Sequence, residues 1–151
     1  MWAEQESSDD PADDAVTALQ LLVQLYLAAL QLPEGEGVDD EVESNTPEEW
    51  QRIYTRFGAL PVDIYYEVFN PLESPPDEPV AATLGDDLAD IHRDLQRGLV
   101  LYGRGEVAAA CWEWAFHFRA HWGRHLTASL SALHAWWVDN YFRRIGDETI
   151  E

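Results

Sequence analysis

Residues 111–125 read CWEWAFHFRAHWGRH, with three tryptophans, two phenylalanines and three histidines in one unbroken stretch. Glu113, His117, His121 and His125 recur every four residues, so on a helix they climb one face. Between Glu106 and Gly146 only Gly123 interrupts the helix formers, which predicts one very long helix or two pieces jointed near Gly123. Val107, Cys111, Trp114 and Phe118 mark the apolar side of the first half. In the second half Leu126, Leu130, Leu133, Trp137 and Tyr141 mark a different direction. Either the helix is buried on two sides, or it bends at Gly123, or the second face meets another subunit.

The chain upstream supplies partners for that helix. Thr83 reads as the cap of a preceding helix with Asp86 at the box position, and Leu84, Leu88, Ile91, Leu95, Leu99 and Tyr102 form its apolar stripe, closed by Gly103 and Gly105. Thr46-Pro47-Glu48-Glu49 is a capping box with Pro at the first helical position. It opens a helix to about Phe57, stopped by Gly58, with Trp50, Ile53, Tyr54 and Phe57 on one face. Asp10-Pro11 starts a first helix to about Leu32, with Leu19, Leu22, Leu25, Tyr26 and Ala29 or Leu30 inward. Five prolines between Leu60 and Pro79 predict an extended connector whose Tyr65, Tyr66 and Phe69 pack across the helices. No strand alternation persists. The expected fold is all-α, an antiparallel bundle of four to five helices with one long irregular connector. An acidic tail over 1–9, one helical domain over 10–144 and a C-terminal tail over 145–151 complete the division.

With 151 residues the chain is long enough for a single core without disulfides. Its net charge of −20 comes from 29 acidic residues against nine arginines and no lysine. Such a field repels nucleic-acid phosphate and anionic lipid, so neither nucleic acid nor membrane is an expected partner, and a basic protein or a second copy of the chain is. Cys111 is the sole cysteine, which fits a reducing compartment and, on an apolar face, an inert thiol. The N-terminus lacks the basic and apolar segments of a secretion signal. The apolar run Leu19 to Leu32 is broken by Gln20, Gln24 and Gln31 and is short for a bilayer span. The expected location is cytoplasmic.

Chemistry concentrates where two helices meet. Asp87, Asp90 and Asp94 lie at three- and four-residue offsets beside the apolar stripe of their helix, and His121 and His125 continue the stripe of Trp114 and Phe118. Paired antiparallel across the Gly103–Gly105 turn, Asp94 faces the Trp112 to Trp114 level and Asp87 the His121 level. One reading is a metal site of His121, His125 and Asp87, or Asp90, joined by His117 or Glu113, with a metal-bound water as nucleophile of a hydrolase. Another is a hydrogen-bonded network that satisfies buried polar groups and indole N–H groups. A third is a pocket for a cationic or aromatic ligand. His92 and His134 carry no evident role. Arg93, Arg97, Arg104, Arg119 and Arg124 read as ion-pair partners for nearby acids. No nucleophile elbow and no phosphate-binding glycine loop is present.

The segments LGDDLADIHRDLQRGLVLY, WEWAFHFRAHWGRH and SALHAWW give the chain a resemblance, over roughly Trp50 to Trp137, to small bacterial proteins grouped as domain of unknown function number five thousand and sixty-three. That resemblance implies a cytoplasmic, all-helical protein of no established activity. Asp86, Asp87, Asp90, Asp94, Trp112, Glu113, Trp114, His121, Trp122, Gly123 and His125 match its motif, whereas His92 and His117 do not. The sequence therefore points to a binding or interaction protein built around an Asp/His/Trp cluster of Asp87, Asp90, Asp94, Trp112, Glu113, Trp114, His121, Trp122 and His125. No organic cofactor is expected. The alternative is the metal-dependent hydrolase, and Trp136, Trp137 and Tyr141 offer a face for a homodimer.

Overall fold

The computed structural model describes residues 3, 8–37, 42 and 46–148. Most of the expected acidic tail, all but residues 3, 8 and 9, falls outside that range, as do most of the acidic loop ending at Asn45 and the last three residues. Helix α1 spans Pro11–Leu30. Asp10 caps it by accepting the Ala12 N–H at 2.8 Å, and Pro11 takes a position whose N–H has no helical partner. Its inward residues are smaller than the leucine pattern predicts: Ala15, Ala18, Leu22 and Ala29 are buried, while Leu30 is 62% exposed. Small side chains let α1 lie close on the last helix. Buried Asp14 ties α1 to Arg56 of the next helix at 3.1 Å. By length and composition alone α1 could cross a membrane; here it packs on one side against the core.

Helix α2, Pro47–Phe57, carries the predicted reciprocal cap, Glu49 N–H to Thr46 Oγ1 at 3.2 Å and Thr46 N–H to Glu49 Oε2 at 2.8 Å. Ile53 and Phe57 are buried, with Trp50 and Tyr54 packed beside them. The connector adds one element that the all-α expectation did not include. β1, Ile64–Glu67, and β2, Val80–Thr83, form a two-stranded antiparallel ribbon with Ile64 opposite Thr83 and Glu67 opposite Val80. The fold is mostly helical with this small sheet. Four of the connector's five prolines fall between the strands and none within them, and Ile64, Tyr65 and Tyr66 suit extended backbone. Four-residue strands are too short for alternation to show.

The ribbon changes the start of α3, Leu84–Gly103. Thr83 ends β2 and makes no side-chain cap bond, so the predicted box with Asp86 is absent. The first free N–H, that of Leu84, goes to the Asp63 carbonyl at 2.9 Å. Leu84, Leu88 and Ile91 are in the core, but Leu99 and Tyr102 are 38% and 56% exposed. Near its C-terminus α3 turns Gly98 and Leu101 toward α4 instead. A Cβ on Gly98 would sit 2.1 Å from the Trp114 indole nitrogen, so the glycine is the slot into which that ring fits. The indole N–H donates to the Leu95 carbonyl at 3.0 Å. α3 closes on a Schellman turn, with Glu106 N–H to Leu101 O, Gly105 N–H to Tyr102 O, and Gly105 at φ 82°.

Helices α4, Val107–His117, and α5, Gly123–Glu148, are joined without a break by a π-helical turn over Phe118–Trp122. α5 thus continues past Ile145, where a frayed tail was expected. Gly123 donates its N–H to the Phe118 carbonyl, five residues back. A π-turn carries one extra residue, so everything beyond it is rotated back by roughly 100° relative to a plain helix. That rotation brings Leu126, Leu130 and Leu133 round to the side of Cys111, Trp114 and Phe118. The apparent choice between a two-sided helix and a bend disappears. Leu126 and Leu133 reach 0% and 1% exposure, and Trp122 is 1% exposed.

The π-turn also explains Gly123. A Cβ there would lie 2.3 Å from the Phe118 carbonyl oxygen and 2.9 Å from its ring. Gly123→Ala should destabilise the protein by about 1–3 kcal/mol, the usual range for overpacking. Gly103→Ala, where a Cβ meets nothing within 4 Å, should be neutral or slightly stabilising. Urea denaturation midpoints of the two variants compare them directly, and equal midpoints would remove the steric explanation.

Candidate functional site

α3 and the α4–π–α5 run are antiparallel neighbours joined by the three-residue turn 104–106. Their register differs from the expected one by one to two turns. Asp94 meets His121 rather than Trp112 to Trp114, and Asp87 meets His125 rather than His121. The α3 turn ends later than a Gly103-centred reading supposes, and the π-turn adds its extra residue before His121 and His125 reach α3.

The result is a chain of polar contacts along the seam. Asp94 Oδ2 is 2.6 Å from His121 Nδ1, and Asp87 Oδ1 is 2.7 Å from His125 Nδ1. The two Nε2 atoms face each other at 3.3 Å. Tyr65 of β1 donates its hydroxyl to the second oxygen of Asp87. Beyond Asp94, His117 Nε2 lies 3.1 Å from Glu113 Oε1, which Arg97 Nε reaches at 2.5 Å. Asp90 sits between the pairs, one oxygen accepting the Trp50 indole N–H at 3.2 Å and facing the Arg93 guanidinium at 3.0 Å. Asp87, Asp94 and Glu113 are buried. Burying such carboxylates is tolerable only because each holds a donor.

These contacts set the protonation. The hydrogen bond to Asp87, first, and the negative charges of Asp87 and Asp90 raise the His125 pKa, against an opposing effect of burial. Burial, then the Asp87 bond, pushes the Tyr65 phenol far up, so it stays protonated and remains a donor. Asp86 is raised by burial and by the neighbouring charges of Asp90 and Asp87. With a carboxylate on each Nδ1, the neutral imidazoles carry their protons there and turn both Nε2 lone pairs toward one point.

Asp90, His121 and His125 each bring one ligand atom to that point, all within 4.8 Å of one another. Of the two carboxylates expected as ligand, Asp87 or Asp90, it is Asp90 that lies beside the Nε2 atoms, while Asp87 stands behind His125. The three tryptophans of the expected cluster lie elsewhere. Trp112 stacks on Phe116 at 4.9 Å, Trp114 fills the Gly98 slot, and Trp122 packs against Phe118 in the core. His92, for which the sequence suggests no role, is buried on the core side beside Gln96. Tyr65 and Trp50 were not among the expected site residues. Trp50 showed only as part of an apolar stripe, and Tyr65 is placed by the ribbon, which left no pattern in the sequence.

A mostly helical chain with paired carboxylates and imidazoles between two antiparallel helices is the class this geometry defines. Its sequence profile matches that of the family described as Domain of unknown function (DUF5063) over residues 4–139, and the chain belongs to that family. The fold is similar to the crystal structure of protein BF1032 from Bacteroides fragilis, with 25% identity, a TM-score of 0.71, and coverage of 88% of this chain and 81% of that one. No curated protein matches the chain.

The raised His125 pKa has a measurable sign. Its folded-state value lies above the ordinary 6.5, so its contribution to stability is complete below that pH and is lost as pH rises through the folded value. In an NMR titration of metal-free protein, His125 should titrate above 6.5 and Asp87→Asn should lower it. A His125 value at or below 6.5 would contradict the Asp87 contact.

Proposed function

We propose that this protein binds one divalent metal ion through Asp90, His121 and His125, with Asp94 and Asp87 bracing the two imidazoles from behind. The observation that carries the reading is the meeting of the two Nε2 atoms at 3.3 Å while each Nδ1 is held by a buried carboxylate. Two lone pairs aimed at one another call for a shared proton or a cation, and carboxylate behind imidazole is how proteins orient metal-ligating histidines. Charge supports the cation. The seam holds four carboxylates, Asp87, Asp90, Asp94 and Glu113, against the guanidiniums of Arg93 and Arg97, short of balance by the charge of one divalent ion. Two imidazoles and a carboxylate suit iron, zinc, manganese or cobalt.

The His121 side chain is 36% exposed, so an ion there would face solvent with coordination positions to spare. Water in such a position is acidified into a nucleophile, and metal-assisted hydrolysis is the chemistry we assign to the site. Tyr65, Asp94 and Asp87 then act by holding imidazole orientation. Elemental mass spectrometry of tag-free protein, after incubation with these ions and desalting, should find about one equivalent of metal. His121→Ala and Asp90→Ala should lose it while keeping their circular-dichroism spectrum, and Asp87→Asn should weaken it by about 10–100-fold. Metal-free protein after such loading would leave the seam as a hydrogen-bond network.

A second reading concerns partners. Trp137, Tyr141, Phe142 and Ile145 on α5 are 42%, 53%, 61% and 41% exposed, and Trp137 and Tyr141 stack at 6.3 Å. Patches of that kind favour association, here with a second copy or a protein partner in the cytoplasm. Size-exclusion chromatography with light scattering should show a species heavier than 17.2 kDa that reverts to monomer in Trp137→Ala. A wild-type monomer throughout would end the self-association reading.

A further inference from the structure

A cavity of about 540 Å³ opens between β1 with the residues that follow it and the outward side of α5. Its size falls in the range of small-molecule sites. One wall is Val68, Phe69 and Pro71, the other Ala128, Ala132 and Ala135, and among the described residues the lining carries one cation, Arg124, and one carboxylate, Glu67. The guanidinium carbon of Arg124 lies 4.3 Å from the centroid of the Phe69 ring. Stacking of this kind engages the face of the guanidinium and leaves its N–H edge for a planar anion. Arg56, Arg93 and Arg97 each hold a carboxylate at 3.1, 3.0 and 2.5 Å. Among the described residues Arg124, like Arg104 and Arg119, pairs with no carboxylate, and it alone of these three lines the cavity and stacks on an aromatic ring.

We infer that this cavity is a binding site for a small monocarboxylate with an apolar body, the carboxylate on the edge of Arg124 and the body between Phe69 and the alanines of α5. The alanines are what make room: larger residues at Ala128 and Ala132 would close the space against the connector. Phe69 holds the guanidinium at a fixed place, so less side-chain freedom is lost on binding. The acidic surface of the chain repels anions at long range, so selection rests on the close contact, and one carboxylate is accepted where a multiply charged anion is not. The site is separate from the proposed metal. The wall residue Tyr65 contacts Asp87, which stands behind His125 on the side away from Nε2.

The test is isothermal titration of the full-length protein, stripped of metal with chelator, using benzoate, phenylacetate and octanoate as probes, with phenylacetamide as the uncharged control. At least one carboxylate should bind saturably at one equivalent, and phenylacetamide at least about tenfold more weakly. Arg124→Gln should weaken the carboxylate by at least about tenfold, and Ala132→Phe should block it, both with unchanged circular dichroism. Ala132→Phe may be replaced by Ala128→Leu if it does not fold. Absence of saturable binding by all three probes overturns the inference, as does unchanged affinity in Arg124→Gln. Binding that appears only after metal is restored also overturns it, because the anion would then sit on the metal. Failure to bind metal in the loading experiment leaves the result of this one intact.

Discussion

The hydrogen bond from the Gly123 N–H to the Phe118 carbonyl fixes the phase of everything that follows it. Without the extra residue it encloses, the apolar stripes of α4 and α5 point in different directions and only one half of the long helix can face the core. With it, Trp122 and Leu126 enter the core from the same continuous helix that delivers His121 and His125 to α3. Core and polar seam are therefore two outcomes of a single local irregularity. Glycine at 123 is its steric condition, because any side chain would meet the Phe118 carbonyl.

A second constraint is electrostatic. Asp87 and Asp94 are 3% and 5% exposed in a chain of net charge −20. Ionised carboxylates at that depth are costly unless donors reach them. Histidine, tyrosine and arginine do so here, and each donor comes from a different part of the chain: Tyr65 from β1, His121 from the π-turn, His125 from α5. The accepting carboxylates on the two Nδ1 atoms fix where the imidazole protons sit, and the proton positions fix where the lone pairs point. The seam owes its chemistry to that order of causes more than to the mere presence of histidines.

Local signals made much of the helical framework legible. The Thr46 and Asp10 caps lie where their side-chain chemistry requires, and the Gly103–Gly105 turn pairs α3 with α4. Asp87, Asp90, Asp94, His121 and His125 could be singled out because helical spacing puts them beside an apolar stripe. Three things were hidden. A π-turn has no residue signature beyond its glycine, so the faces of α4 and α5 looked discordant. The ribbon is held by long-range pairing of two four-residue strands, and Tyr65 reaches Asp87 only through it. The exchange of Asp87 for Asp90 beside the imidazoles follows from a register set by both features. Tryptophans read as part of the cluster proved to be packing residues, since an indole at helical spacing beside alanines has a slot to fill, as Trp114 does at Gly98.

Apart from the Tyr65 and Trp50 contacts, the polar seam lies within one helical hairpin, whereas the packing of α1 on α5 joins the two ends of the domain. Bringing the seam together closes only the short turn at Gly105, a small entropic cost, while docking α1 must close a loop of most of the chain. The centre is thus a short-range object in a long-range fold. It belongs to the part of the protein whose contacts are entropically easiest to form, and α1 packs on the apolar side of that hairpin.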